Sequence, residues 1–368
     1  MRYREDIESL FLSDTMLIDT RSPTEFAKGS FPLAVNLPLM TDEERAAVGL
    51  RYHEAGQESA IALGHQLVGG DIKTQRVASW RRFAEMHPGC ALFCFRGGLR
   101  SEISQQWLAD IGITLPRVAG GYKAMRRLLI DETDAILSNT PILLLAGQTG
   151  AAKTRLINEG NRGKPLPAAI DLEGLANHRG SAFGKRITSQ PTQIGFENAL
   201  GIALLKHRAR DQSHLLLEDE GRLIGKCALP LTLQSSRRGA DWIQLEASLE
   251  DRVQHSYENY ILDNLTELSA EEENPERAFA RFSQDLLDAL QRIQKRLGGT
   301  RYQALLKMMQ AALEYHAEGE PRHHKRWIET LLVQYYDPMY AYQMKGRDRP
   351  PIFRGNEIEV VDFLRDNF

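Results

Sequence analysis

Two short stretches of this chain carry residue types and spacings that could do chemistry. The first is Cys94-Phe95-Arg96-Gly97-Gly98-Leu99-Arg100-Ser101. Its paired glycines let the backbone curl tightly, which aims loop N–H groups and a following helix N-terminus at one point. Arg96 and Arg100 add positive charge. Each effect favours a thiolate, so Cys94 is a candidate nucleophile and the two arginines its supporting cations. The second stretch is Gly147-Gln148-Thr149-Gly150-Ala151-Ala152-Lys153-Thr154. This is P-loop spacing, in which the backbone around Gly147, Thr149 and Gly150 cradles phosphates, Lys153 reaches the outer ones and the Thr154 hydroxyl holds Mg²⁺. The pattern calls for glycine before the lysine, where this chain has Ala152. If that position needs φ > 0, alanine costs about 1 kcal/mol. Whether the loop takes a nucleotide or another diphosphate stays open at this level.

The elements that must position these residues are legible as apolar runs. Strands are expected at 16–19, 34–37 and 91–95, with another closing at 118–121. In a second series they fall at 142–146, 168–171, 214–217 and 242–245. The run at 91–95 is too continuous for a half-exposed strand and reads as a buried parallel one, and 142–146 reads as buried. A helix over 101–110, with Ser101 as N-cap, should follow Cys94. The 214–217 strand leads into Glu218-Asp219-Glu220, an acidic tip suited to Mg²⁺ or its waters. Asp219 joins Thr154 there as the expected metal ligand, with Asp171 and Glu173 as second choices. The fold class is α/β: a parallel-sheet domain over 1–134, a P-loop α/β domain over 135–248 and a helical region over 249–368.

Composition bounds the rest. A chain of 368 residues with 42% hydrophobic and 26% charged residues is globular and long enough for about two domains. The apolar stretch 141–146 is far short of the roughly 20 residues a membrane span needs, and the mixed-charge N-terminus lacks a signal-peptide pattern. No membrane association and a cytoplasmic location are therefore expected. Three cysteines cannot build a disulfide scaffold, and Cys90 reads as structural. A net charge of −3 does not advertise nucleic-acid binding, but a local basic surface would suffice. Candidates are 206–210, 237–238, 322–327 and 345–349.

The Cys94 loop resembles the active-site loop of rhodanese domains, which carry sulfur or selenium on the cysteine. Asp19-Thr20-Arg21-Ser22-Pro23-Thr24-Glu25-Phe26, the stretch 29–36 and Val118-Ala119-Gly120-Gly121 are similar to other rhodanese segments; Asp19 and Arg21 read there as a structural ion pair. A rhodanese unit followed by a P-loop unit resembles the bacterial tRNA 2-selenouridine synthases. Segments 122–126, 171–184, 190–198 and 218–225 also look like that family's, so the likeness spans 17–225, and the helical C-terminal part matches in character only.

The resemblance implies action on 2-thiouridine at the wobble position of tRNAs for Lys, Glu and Gln. Geranyl diphosphate first alkylates the sulfur, and selenium from selenophosphate then replaces the S-geranyl group, carried by Cys94. It implies a P-loop that holds the diphosphate, with Mg²⁺ as a companion ion, and His178, Arg179 and Arg222 as substrate-binding residues. The alternative is a persulfide-carrying tRNA sulfurtransferase whose P-loop uses ATP.

Overall fold

The structure is a computed structural model and describes residues 3–368. It divides into two compact units. One comprises residues up to Ile136 together with Pro191–Ala209, the other Leu137–Gln190 with Arg210–Phe368.

The first unit is built on a five-stranded parallel sheet. Its strands are β1 (Tyr3–Arg4), β2 (Leu17–Asp19), β3 (Ala34–Asn36), β4 (Ala91–Phe93) and β5 (Arg117–Val118), in the order β1-β5-β4-β2-β3. β2 and β4 are buried along their whole length, as the unbroken apolar runs require. The crossover from β3 to β4 is a pair of long helices, Asp42–Leu67 and Gly70–Met86. Thr41 and Glu44 start the first with a reciprocal capping box. These helices close a core around Ile18, Trp80, Phe83, Leu92 and Trp107.

Two readings of the first unit need correcting. The helix after Cys94 runs Leu99–Asp110 with Gly98 at its N-cap. Ser101 lies inside its first turn, because the two glycines let the chain enter the helix earlier. The helix Gln193–Ala209 also belongs to this unit, although it lies within the stretch read as continuous P-loop domain. Arg126 holds it, donating to Asn198 Oδ1 at 2.8 Å and pairing with Glu197 at 2.6 Å. Asn198 in turn donates to the Ser30 carbonyl at 2.9 Å.

The second unit has its own five-stranded parallel sheet. Its strands are β6 (Ile142–Ala146), β7 (Ala169–Ile170), β8 (Leu215–Glu218), β11 (Asp241–Leu245) and β12 (Phe353–Gly355), in the order β12-β11-β6-β8-β7. A short antiparallel pair, β9 (Leu223–Ile224) and β10 (Cys227–Ala228), lies between β8 and β11 in the chain. The region after 249 is therefore not purely helical. β12 extends the sheet, and the helix Glu357–Asn367 buries Val360 and Leu364 in the same core as the phosphate-loop helix. A three-residue strand carries too little periodicity to be read from sequence.

The helices between pack on a separate core. Pro275–Arg292 shows why. Asn274 caps it, Pro275 opens it, and Ala278, Phe282, Leu286, Ala289 and Leu290 form one buried stripe. Phe282 meets Trp327 and Ile261 in that core. Among the described residues no helix is long and apolar enough to cross a membrane.

Candidate active sites

In the first unit Cys94 sits at the C-terminal end of β4, buried. Its thiol donates to Ser101 Oγ at 3.2 Å, and Ser101 Oγ donates to the Gly98 carbonyl at 2.9 Å. The sulfur therefore stands at the first turn of the Leu99–Asp110 helix, where the backbone dipole favours negative charge. The loop is clamped by its neighbour: Tyr122 N–H donates to the Cys94 carbonyl at 2.9 Å and Lys123 N–H to the Phe95 carbonyl at 3.0 Å. That clamp needs glycine. A Cβ on Gly121, at φ 58°, would come within 2.2 Å of the Cys94 carbonyl oxygen.

The two arginines part company. Arg96 is exposed beside Phe95. Arg100 forms a bidentate pair with Glu25, at 2.5 and 3.2 Å, and Arg45 adds a second contact to the same carboxylate at 3.1 Å. Burial opposes the Glu25 charge, yet the hydrogen bond and charge of Arg100 hold that carboxyl below its usual range. Arg100 is thus placed as a partner of Glu25 rather than as a cation committed to the sulfur. Asp19 and Arg21 form the expected structural pair, both buried, at 2.6 Å. The Arg21 guanidinium lies 3.8 Å from the centre of the Tyr122 ring, which braces the clamp. Cys90 is fully buried and burial pushes its thiol up to about 11, so it stays protonated.

In the second unit the strand–loop–helix arrangement is present: β6, the loop 147–152, then the helix Lys153–Glu159. Ala152 has φ 62° and ψ 32°, the left-handed conformation for which the pattern prefers glycine. Gly150, at φ 85°, cannot be replaced, because a Cβ there would lie 2.7 Å from the Arg252 carbonyl oxygen. Lys153 Nζ donates to the Gly147 carbonyl at 3.1 Å, folding over the loop. Arg252, buried on the helix Leu249–Tyr257, donates to the Thr149 carbonyl at 3.0 Å and pairs with Asp337. No sequence signal marked Arg252, since its partners are brought from distant segments.

The acidic tip differs by one residue from expectation. Asp219 is engaged by Arg237 at 2.9 Å and by Arg347, so it is not at the phosphate loop. The carboxylates that meet Thr154 are Glu218, at 2.6 Å, and Glu173, at 3.0 Å. β8 extends one residue beyond the expected end, and that puts Glu218 at the strand tip. Both glutamates are buried. Burial, then neighbouring carboxylates, push Glu218 up to about 8 and Glu173 well above its usual range, against the pull of Lys153 and Thr154. One hydroxyl proton cannot serve two carboxylates, so the cluster retains a shared proton. A hydroxyl and two crowded carboxylates form an all-oxygen donor set, which fits Mg²⁺. Asp171, the other second choice, caps the helix Leu172–Leu175 and accepts from Asn158 at 2.7 Å.

This cluster predicts a pH dependence. Because the folded-state value of Glu218 lies above its unfolded one, the folded state binds more protons between about 4.5 and 8. Stability without divalent cations is therefore highest at the acid end of that window and falls as pH rises through it. Glu218→Gln should flatten the decline; melts between pH 5 and 8 in chelator check this, and an equally steep decline in the variant would locate the proton elsewhere.

The loop and Glu173 share a cleft of about 570 Å³ with Glu220, Arg179, Arg186, Tyr260, Tyr336 and Met339, while Glu218 lies buried behind Thr154. Both π-helical segments among the described residues, Glu258–Leu262 and Leu332–Tyr336, feed it, with Tyr260 from the first and Tyr336 from the second. Burial raises both phenols, Tyr260 to about 12, so they stay neutral. Arg179 donates to Asn264 Oδ1 at 2.5 Å and its charge is disfavoured by burial and then by Arg186. Arg186, which the sequence did not single out, has a buried Nε without a partner. His178 is adjacent in sequence but does not line the cleft; its Nδ1 is buried without a partner, and burial and nearby arginines keep the ring neutral. Arg222 is exposed and lines a different cleft. No group of three or more His, Cys, Asp or Glu residues suited to a metal ion occurs among the described residues, so an ion here would complete its shell from water or a bound phosphate.

The family model described as tRNA 2-selenouridine synthase AAA domain matches residues 140–368. A tRNA 2-selenouridine synthase from Hahella chejuensis is 52% identical over 361 residues, 98% of this chain and 93% of that protein. Those of Pseudomonas fluorescens and Alcanivorax borkumensis are 49% and 47% identical, each across 98% of this chain, and 97% and 98% of their own lengths.

Proposed function

The chain belongs to the tRNA 2-selenouridine synthase family, and on that premise we propose that it is a transferase converting 2-thiouridine in tRNA to 2-selenouridine in two steps. The first is S-geranylation at the phosphate-loop cleft of the second unit. The second is selenium replacement through Cys94 in a rhodanese-like first unit. Geranyl diphosphate and selenophosphate are the co-substrates, wobble uridines of tRNAs for Lys, Glu and Gln the targets, and the cytoplasm the setting.

The cleft carries the reading. It joins a phosphate cradle to a neutral aromatic wall of Tyr260 and Tyr336 with Met339 beside it, which suits a diphosphate bearing an apolar chain. The thiouridine sulfur attacks the prenyl C1, a C–S bond forms, and the C–O bond to diphosphate breaks. Lys153 and the loop N–H groups stabilise charge on the departing oxygens, and Arg186, and Arg179 beside it, supply further cations. Thr154, Glu218 and Glu173 would hold Mg²⁺, which when bound neutralises leaving-group charge. No thiol is among the residues that line the second unit's cleft. The selenium step falls to Cys94: its thiolate attacks the phosphorus of selenophosphate, an S–P bond forms as the Se–P bond breaks, the freed hydroselenide adds at C2 and displaces geranylthiol, and water hydrolyses the phosphocysteine to release phosphate. Alkylation has by then made the 2-thio sulfur a better leaving group.

The test is mass spectrometry of 2-thiouridine tRNA incubated with protein, geranyl diphosphate, selenophosphate and Mg²⁺, leaving out each in turn. The expected outcome is S-geranyl-2-thiouridine without selenophosphate and 2-selenouridine only with both co-substrates. Product that requires ATP and ignores geranyl diphosphate would replace this reading with a persulfide-carrying sulfurtransferase.

A further inference from the structure

Four basic segments of the sequence could meet RNA phosphates, and their partners separate them. Lys206 pairs with Asp14, Arg208 with Glu8 and Glu132, and His207 is buried. Arg322 pairs with Glu320 at 2.8 Å, while His324 and Trp327 are core residues. The two remaining segments, Arg237-Arg238 and 345–349, are far apart in sequence, yet Arg237-Arg238 and 346–349 line one cleft of about 680 Å³, with Arg222 at its wall.

Guanidinium there exceeds carboxylate. Arg222, Arg237, Arg238, Arg347 and Arg349 face Asp219, Glu220 and Asp348. Asp219 alone serves both Arg237 and Arg347, and Arg237 retains a buried Nε with no partner. Arg347 is further fixed over the Trp242 ring, 4.2 Å from its centre. Fixed guanidinium forks in excess are built for phosphate oxygens. Their spread along an open cleft suits a chain of phosphates better than one compact anion. Glu220 lines both this cleft and the phosphate-loop cleft, so the two adjoin.

We propose that this arginine cleft holds the phosphodiester backbone of the tRNA beside the reacting nucleotide, with the target base continuing past Glu220 toward the phosphate loop. The assignment rests on the reading that the chain acts on tRNA. Arg222 and Arg238 are exposed and in no ion pair among those described, so they can be removed without disturbing the fold.

The experiment is tRNA binding by fluorescence anisotropy between 50 and 200 mM salt, chosen to bracket physiological screening. It compares wild type, Arg222→Ala/Arg238→Ala and Arg322→Ala/Arg326→Ala, with geranyl diphosphate binding to each measured by calorimetry. Wild type should weaken steeply with salt. The cleft variant should bind about tenfold more weakly and lose about one unit of salt slope per arginine, with geranyl diphosphate affinity unchanged; the 322/326 variant should match wild type. A cleft variant that binds tRNA like wild type overturns the proposal, as does one that loses geranyl diphosphate but keeps tRNA. A wild type with no salt-dependent tRNA binding would instead sink the tRNA reading itself.

Discussion

Cys94→Ser is expected to make S-geranyl-2-thiouridine at the wild-type rate and to stop there, so that the intermediate accumulates. Alkylation draws its nucleophile from the thiouridine, whereas selenium delivery needs a protein thiolate that takes the phosphoryl group of selenophosphate and frees hydroselenide. The serine hydroxyl fits the space beside Ser101 and Gly98 but does not ionise near neutral pH. Cys94 and the phosphate loop also belong to different compact units, so the substitution leaves the cleft chemistry intact. Cys90→Ser and Cys227→Ser should complete the conversion, because both thiols are buried and shifted up by burial. Nucleoside analysis after reaction decides. Selenouridine at the wild-type rate from Cys94→Ser would remove the role of Cys94 in selenium delivery, and loss of the geranylated product would show that the two steps are not separable.

Lys153→Ala should slow geranylation about 100-fold or more, the usual consequence of deleting one contact to developing charge in a preorganised site. The lysine is already folded over the loop through Gly147, so little reorganisation is needed to meet a diphosphate. Its charge also opposes the upward shift of Glu173 and Glu218. The variant should therefore hold the shared proton to higher pH, and the acid-side stability advantage should extend further. Single-turnover geranylation and melts across pH test both parts. Wild-type rates would place the diphosphate away from this loop.

The sequence by itself determined the two chemical loops and the strands that present them. Cys94 and Lys153 follow short apolar runs bounded by glycine loops, which read as buried strands, and glycines at tight positions are local requirements. At Ala152 the sequence showed only that the pattern prefers glycine, and the structure supplied the left-handed backbone that makes alanine costly there. Tertiary structure decided which side chains face which. Asp219 and Glu218 are neighbours, and a strand one residue longer than its apolar run turns the second toward Thr154 and leaves the first to Arg237 and Arg347. Side chains alternate along a strand, so one residue of length exchanges the candidate ligand. Arg100 carries the right charge at the right spacing, but Glu25 is brought from 75 positions away to take it. Arg252, Arg186, Tyr260 and Tyr336 come from segments with no motif, and two π-helical turns set the register of the tyrosines. Local propensity encodes loops and strands because their causes are local. Long-range pairing of charge and aromatic surface is chosen only when the sheet and the C-terminal helices close, and that is where the cleft acquires its walls.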